Sequence, residues 1–171
     1  GSYDSLSSRY PAVYLLHGYS QDHSVWAHIA PLEYLADRYQ MLFVCPDGDY
    51  NSWYLDSPIK PRSKFKTYIA VEVPAFVDSA YRTIASKRGR ALIGSSMGGY
   101  GALSILFSHP RRFAAATSIS GILDLTAFPG RWDIAAVLGR YDRHRDRWVR
   151  YSLCSLVKKT ALKGHGIFID C

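Results

Sequence analysis

The pentapeptide Gly94-Ser95-Ser96-Met97-Gly98 constrains this chain more than any other stretch. It fits G-x-S-x-G, a turn that lifts a serine hydroxyl off the end of a buried strand. The flanks have the required character. Ala91-Leu92-Ile93 is a short apolar run preceded by the polar stretch Ser86-Lys87-Arg88-Gly89-Arg90, as a buried parallel strand demands. Met97 to Phe107 then reads as a helix, with Tyr100, Leu103 and Leu106/Phe107 recurring at helical spacing. A serine between strand and helix needs small residues two positions to either side, and Gly94 and Gly98 supply them. The helix amino terminus beneath Ser96 directs free N–H groups and a positive dipole end at developing oxyanion charge. A chance match in a glycine-rich turn is the competing reading; the strand and helix around it weigh against that. Ser95 lacks glycines in the same frame and is expected to pack or hydrogen-bond.

A second motif lies upstream. Ala12-Val13-Tyr14-Leu15-Leu16 is another apolar strand, ending in His17-Gly18-Tyr19-Ser20. Where a strand–serine–helix turn operates, the loop after a neighbouring strand gives one oxyanion N–H and the residue after the serine gives the other. The predicted donors are the backbone amides of Tyr19 and Met97, with Gly18 letting the backbone approach a substrate carbonyl. A His-Gly pair alone is a weak signal; beside the serine turn it becomes specific.

Strand and helix patterns alternate without internal repeats. Strands are predicted at 12–16, 41–45, 91–94, 114–119 and 167–171, and helices at 31–39, 67–84, 97–108 and 152–161. Helix 67–84 carries a stripe of Ile69, Val73, Phe76/Val77, Ala80 and Ile84, interrupted by Pro74. This order predicts an α/β fold with a doubly wound, mostly parallel sheet, in one domain spanning 1–171, with ligands beyond the carboxyl ends of the strands. Ser96, Tyr19 and the loop Asp47–Lys66 fall at that end. Within the loop, Trp53 either walls an acyl or alcohol pocket or packs the loop down, and Trp26 has the same two readings.

The stretches YLLHGYSQDHSVW (14–26), PDGDYNSWYLDSP (46–58), GSSMGGYGAL (94–103) and SISGILDL (118–125) resemble the esterase D/tributyrin esterase group of α/β-hydrolases. Matching order and spacing run from about Pro11 to Cys171. The resemblance implies a serine carboxylesterase acting on small acyl esters through an acyl-enzyme, with Ser96 as nucleophile and no cofactor or metal. His17, Gly18, Trp53 and Asp124 then fall around the substrate pocket. It further implies that Ile167-Phe168-Ile169-Asp170-Cys171 is the strand leading to the triad acid, so that the acid, the histidine, the last strand and the last helix of the α/β-hydrolase fold are expected to be missing from these residues.

No histidine present is an evident substitute. A structural hydrogen bond is expected for His17, while His165 belongs at the opposite end of the sheet. His23 and His28 fall in a loop or helix start, and His109 and His144 in a helix-end turn and a basic loop. Asp124 follows strand 114–119 and reads as an orienting acid with no histidine to orient. The alternative is a catalytically silent relic that binds a ligand or partner through the same pocket.

The remaining composition narrows the alternatives. The 171 residues carry a net charge of +7, much of it between Arg131 and Arg150, but there arginines alternate with Asp133, Asp142 and Asp146. That reads as a solvated, salt-bridged segment rather than a nucleic-acid surface. No apolar run approaches the ~18 residues of a membrane span. Cys45, Cys154 and Cys171 are odd in number and unpatterned, against a disulfide framework or zinc site; Cys45 reads as a buried small hydrophobe. Gly1-Ser2 reads as a cloning remnant with no signal peptide before it, so the cytoplasm is the expected compartment. An uncovered strand at 167–171 is expected to pair with a second copy or with a complementing carboxy-terminal segment.

Overall fold

A computed structural model of the chain describes Tyr3 and residues 7–157 and 162–171. Five strands, β1 (Ala12–Leu16), β2 (Leu42–Val44), β3 (Arg90–Ser95), β4 (Ala115–Ile119) and β5 (Gly166–Asp170), form one sheet in the order β2-β1-β3-β4-β5. All four pairings are parallel. Tyr14, Leu92, Ala116 and Ile167 lie side by side across four strands.

β1 explains the layering. All five of its residues are buried, and they divide by parity. Ala12, Tyr14 and Leu16 enter the main core with Leu92, Leu103, Ile105 and Phe113. Val13 and Leu15 enter a smaller core on the other face with Trp26, Phe43 and Ile93. A strand apolar on both faces belongs inside a parallel sheet covered on both sides.

Helices α1 (Val25–Ile29) and α2 (Leu32–Tyr39) follow β1, and Trp26 of α1 packs on Val13 and Leu15. Packing, not pocket lining, is therefore the role of Trp26. Cys45, expected to be fully buried, is half-buried at the margin of this thinner core, and desolvation pushes its thiol pKa up.

The helix expected over 67–84 is broken. It consists of α3 (Phe65–Thr67), a π turn (Tyr68–Glu72) and α4 (Val73–Ala80). Pro74 has no N–H to give Ala70, four residues back, and its ring needs the wider turn. The released Ala70 carbonyl instead accepts from Arg112 Nε at 2.6 Å. Ile69, Val73 and Val77 keep the predicted stripe; Phe76 and Ala80 are exposed on the helix, and Ile84 is exposed beyond it, where the chain has turned extended at Tyr81.

α5 (Met97–Ser108) is the central helix, packed on β1, β3 and β4 and buried at every residue from Met97 to Phe107. A helix apolar on all sides fits nowhere else in a small domain.

The Arg131–Arg150 segment, including the supposed basic loop at His144, is helical: α6 (Ile134–Leu138) and α7 (Tyr141–Tyr151), kinked at His144. α7 buries one large side chain, Trp148, which donates to the Gly139 carbonyl at 2.9 Å. The helix expected at 152–161 is α8 (Leu153–Leu156), and residues 158–161 lie outside the described residues.

Both sheet edges carry apolar surface. Ile167, Phe168 and Ile169 of β5 are 41%, 63% and 49% exposed, as expected for an uncovered edge. Beside β2 lies a cavity of about 490 Å³ lined by Phe43, Cys45, Tyr68, Val73, Phe76 and Tyr81. Among the described residues no helix is long and apolar enough to cross a membrane.

Because Leu103 is 1% exposed at the centre of α5, Leu103→Ala is expected to lower stability by about 2–5 kcal/mol. Urea unfolding checks this; a loss under about 1 kcal/mol would mean the core closes around the gap.

Candidate active site

In a sheet of this order the chain leaves β1 in one direction to make β2 and returns on the other side to make β3. The loops after β1 and β3 therefore diverge at the carboxyl end and leave a crevice between them. Ser96 follows β3 and the Gly18-Tyr19 loop follows β1, so the two predicted motifs meet there.

Ser96 is held in a rare conformation, φ 53° and ψ −115°, between the last residue of β3 and the first of α5. Its backbone is pinned on both sides. The Ser96 amide donates to the Ile119 carbonyl of β4 at 2.9 Å, and its carbonyl accepts from the Tyr100 amide at 3.1 Å. The glycines are steric necessities. A methyl on Gly94 would overlap the Gly98 carbonyl, and one on Gly98 would overlap the Leu16 carbonyl. A Cβ on Gly18 would lie 3.5 Å from Ser96 Cβ, which shows how near the β1 loop comes to the serine.

Met97 follows Ser96 in the chain and Tyr19 follows Gly18 in the β1 loop, and among the described residues no acceptor takes either backbone amide. The β1 loop is fixed otherwise. The Gly18 amide donates to Gln21 Oε1 at 2.8 Å, and the Ser20 amide donates to the Tyr50 carbonyl at 2.9 Å. Tyr19 Oη donates to Asp133 Oδ2 at 2.8 Å, and that bond raises its phenol pKa.

The other anticipated pocket residues are tied up in packing and hydrogen bonds. His17 is fully buried under the loop: Nε2 accepts from the Gly48 amide at 2.8 Å, which leaves the proton on Nδ1 to go to the Gly18 carbonyl at 2.8 Å. Its role is the structural one. Trp53 is 1% exposed, packs edge-on against Tyr100 and donates to the Trp132 carbonyl at 2.9 Å; of its two readings, packing is the one the geometry selects. Asp124 accepts from Thr126 and Ser152, and the Thr126 hydroxyl chiefly holds its carboxyl below the usual range. It caps the turn Leu125–Ala127 and touches no histidine.

None of the six histidines is hydrogen-bonded to Ser96 Oγ. His23 faces Asp47, His28 its own helix, and His165 the Pro110 carbonyl at the amino end of the sheet.

Backbone strain marks the same region. Among the described residues nine that are not glycine have positive φ; eight of them (Ser20, Asp49, Trp53, Tyr54, Ser96, Ser120, Trp132, Asp133) lie in loops following β1 to β4, and the ninth, Gln40, ends α2. Residues in such conformations persist where their surroundings over-determine them, and they cluster at functional sites. Gln21 and Asp133 were missed by sequence reasoning: a lone amide and a lone carboxylate in loops carry no pattern. Tyr54, another aromatic of the loop Asp47–Lys66 that could have walled a pocket, is instead fully buried, and its Oη donates to the His17 carbonyl at 3.0 Å.

The parallel sheet and the strand–serine–helix turn are those of the α/β-hydrolase class. Residues 2–171 match the family model described as "Putative esterase", and the chain belongs to that family. An acetyl esterase of Caldicellulosiruptor saccharolyticus is 33% identical over 128 residues, 74% of this chain and 47% of the relative. An esterase of Mycobacterium tuberculosis is 32% identical over 124 residues, 70% of this chain and 27% of the relative. An S-formylglutathione hydrolase structure from Agrobacterium tumefaciens superposes with a TM-score of 0.77 at 25% identity, covering 95% of this chain and 64% of that one. The chain thus spans between a quarter and a half of the length of these curated relatives.

Positive φ at residue 96 should reverse the usual order of two substitutions. Glycine ordinarily costs about 0.5–1 kcal/mol relative to alanine; here Ser96→Gly is expected to be more stable than Ser96→Ala by about 1 kcal/mol, through release of strain. Thermal melts of the two variants decide it, and the ordinary order would show that the bend is unstrained.

Proposed function

We propose that this chain carries the nucleophile and oxyanion site of a serine carboxylesterase that acts on small acyl esters. The observation that carries the reading is the left-handed bend at half-buried Ser96, with Gly18 of the β1 loop close to its side chain and the Tyr19 and Met97 amides unengaged among the described residues. In the proposed reaction Ser96 Oγ attacks the ester carbonyl carbon and loses its proton to a base. The carbonyl oxygen takes the negative charge and accepts from the two amides. The carbonyl then re-forms as the ester C–O bond breaks, the alcohol leaves with a proton, and water hydrolyses the acyl-serine. Each fixed donor of this kind is worth roughly 3–4 kcal/mol in the transition state.

The base is the part these residues do not supply at the site. A serine without one stays protonated and is slower by roughly 10⁴ to 10⁶-fold. The base and its orienting acid are therefore assigned to polypeptide outside residues 1–171. The open β5 edge is the proposed place of attachment, for a complementing segment or for a second copy, since Ile167, Phe168 and Ile169 are largely exposed there among the described residues.

Hydrolysis of p-nitrophenyl acetate by the chain is expected to be slow but Ser96-dependent, so Ser96→Ala should remove it. Equal rates for the two proteins would leave a ligand-binding relic of an esterase. Size-exclusion chromatography is expected to show self-association that Phe168→Lys weakens; a clean wild-type monomer would refute the self-pairing alternative at β5.

A further inference from the structure

We infer that Asp133 is a positioning residue for the oxyanion loop, clamping Tyr19 from a segment more than a hundred residues away. The inference rests on the esterase reading for its catalytic consequence and on geometry alone for its mechanical one.

Asp133 sits in the left-handed region at φ 52°, immediately before α6. Its Oδ2 accepts from Tyr19 Oη at 2.8 Å and from Asn51 Nδ2 at 3.3 Å. The same junction is tied twice more. The Trp132 carbonyl accepts from Trp53 Nε1 at 2.9 Å, and the Tyr50 carbonyl accepts from the Ser20 amide at 2.9 Å. Tyr50 also meets the Tyr19 ring edge-on, with centroids 5.0 Å apart. Three loops are thereby cross-linked: that after β1, that after β2, and the segment ahead of α6.

Tyr19 connects this junction to the chemistry. Its backbone amide is one of the two proposed oxyanion donors, unengaged among the described residues, and its side chain is bonded to Asp133. Gly18, adjacent, has no side chain to hold it. Gln21 takes the Gly18 amide from one side, and Asp133 takes the Tyr19 ring from the other. Two strained residues in succession, Trp132 and Asp133, aim the carboxylate at the phenol. An oxyanion donor misplaced by a fraction of an ångström loses much of its effect, because the charge it serves exists only in the transition state. Asp133 therefore acts on turnover and not on substrate affinity.

Two measurements on residues 1–171 separate the mechanical and catalytic parts. The first is NMR hydrogen exchange of the Ser20 amide, whose bond to Tyr50 spans the clamped loops. Asp133→Ala and Tyr19→Phe are each expected to speed exchange roughly five- to tenfold, the double variant no more than either alone. Asp133→Asn keeps a carbonyl oxygen for Tyr19 Oη and is expected to restore wild-type exchange. The second is p-nitrophenyl acetate hydrolysis, in which the Ala and Phe variants lower kcat several-fold with KM unchanged and the Asn variant recovers kcat. A circular dichroism spectrum and melting temperature like wild type establish that the variants fold; should Asp133→Ala not fold, Tyr19→Phe carries the test alone. Exchange that responds while no protein shows Ser96-dependent turnover would uphold the clamp and reject the esterase reading. Unchanged exchange in both loss variants, or a rise in KM in place of the fall in kcat, would overturn the proposal.

Discussion

At the crossing of α5 over β1, main chain meets main chain. Gly98 lies so close to the Leu16 carbonyl that no side chain fits between them, and Gly94 meets the Gly98 carbonyl in the same way. This contact sets how deep the helix sits, and its depth sets the rest. With α5 pressed to the sheet, eleven consecutive residues from Met97 to Phe107 are enclosed, and the turn at Ser96 has no slack to relax into an ordinary conformation. Hydrogen bonds to Ile119 and from Tyr100 then hold the serine where β3 delivers it. The site is a by-product of close packing at one junction.

The loops above that junction are built from interlocking polar contacts. His17 uses both ring nitrogens on backbone groups, joining the ends of β1 and β2, and Tyr54 closes over the His17 carbonyl. Buried polar groups satisfied in this manner rigidify what they touch, because each would be costly to leave unpaired. The left-handed residues clustered here are tolerated for that reason: the surrounding bonds over-determine them.

Much of this was legible in the residues. Glycine spacing around Ser96 and the apolar runs Ala12–Leu16 and Ala91–Ile93 carry local, short-range information, and the elements they imply stand where expected. What could not be read depended on distance or on masking. α7 is hidden because YDRHRDRWVRY shows arginines where a helix would show its apolar face, and Trp148 alone supplies burial. Trp53 looks like a pocket wall until Tyr100 and Trp132 arrive from elsewhere in the chain. Pro74 signalled an interruption, yet the π turn that absorbs it depends on Arg112, 42 residues away, taking the orphaned carbonyl. The partnership of Tyr19 and Asp133 spans 114 residues and leaves no trace in either neighbourhood.

The order of strands also divides the molecule by rigidity. Ser96, the Tyr19 and Met97 amides and Gly18 all issue from β1 and β3, which have neighbours on both sides, while β2 and β5 hold the perimeter. Fluctuations in a sheet begin where backbone groups face solvent, so the margins fray before the middle does. Either margin can therefore loosen while the turn at Ser96 keeps its shape. The fold separates an exposed apolar perimeter from an interior that holds the Ser96 turn in place.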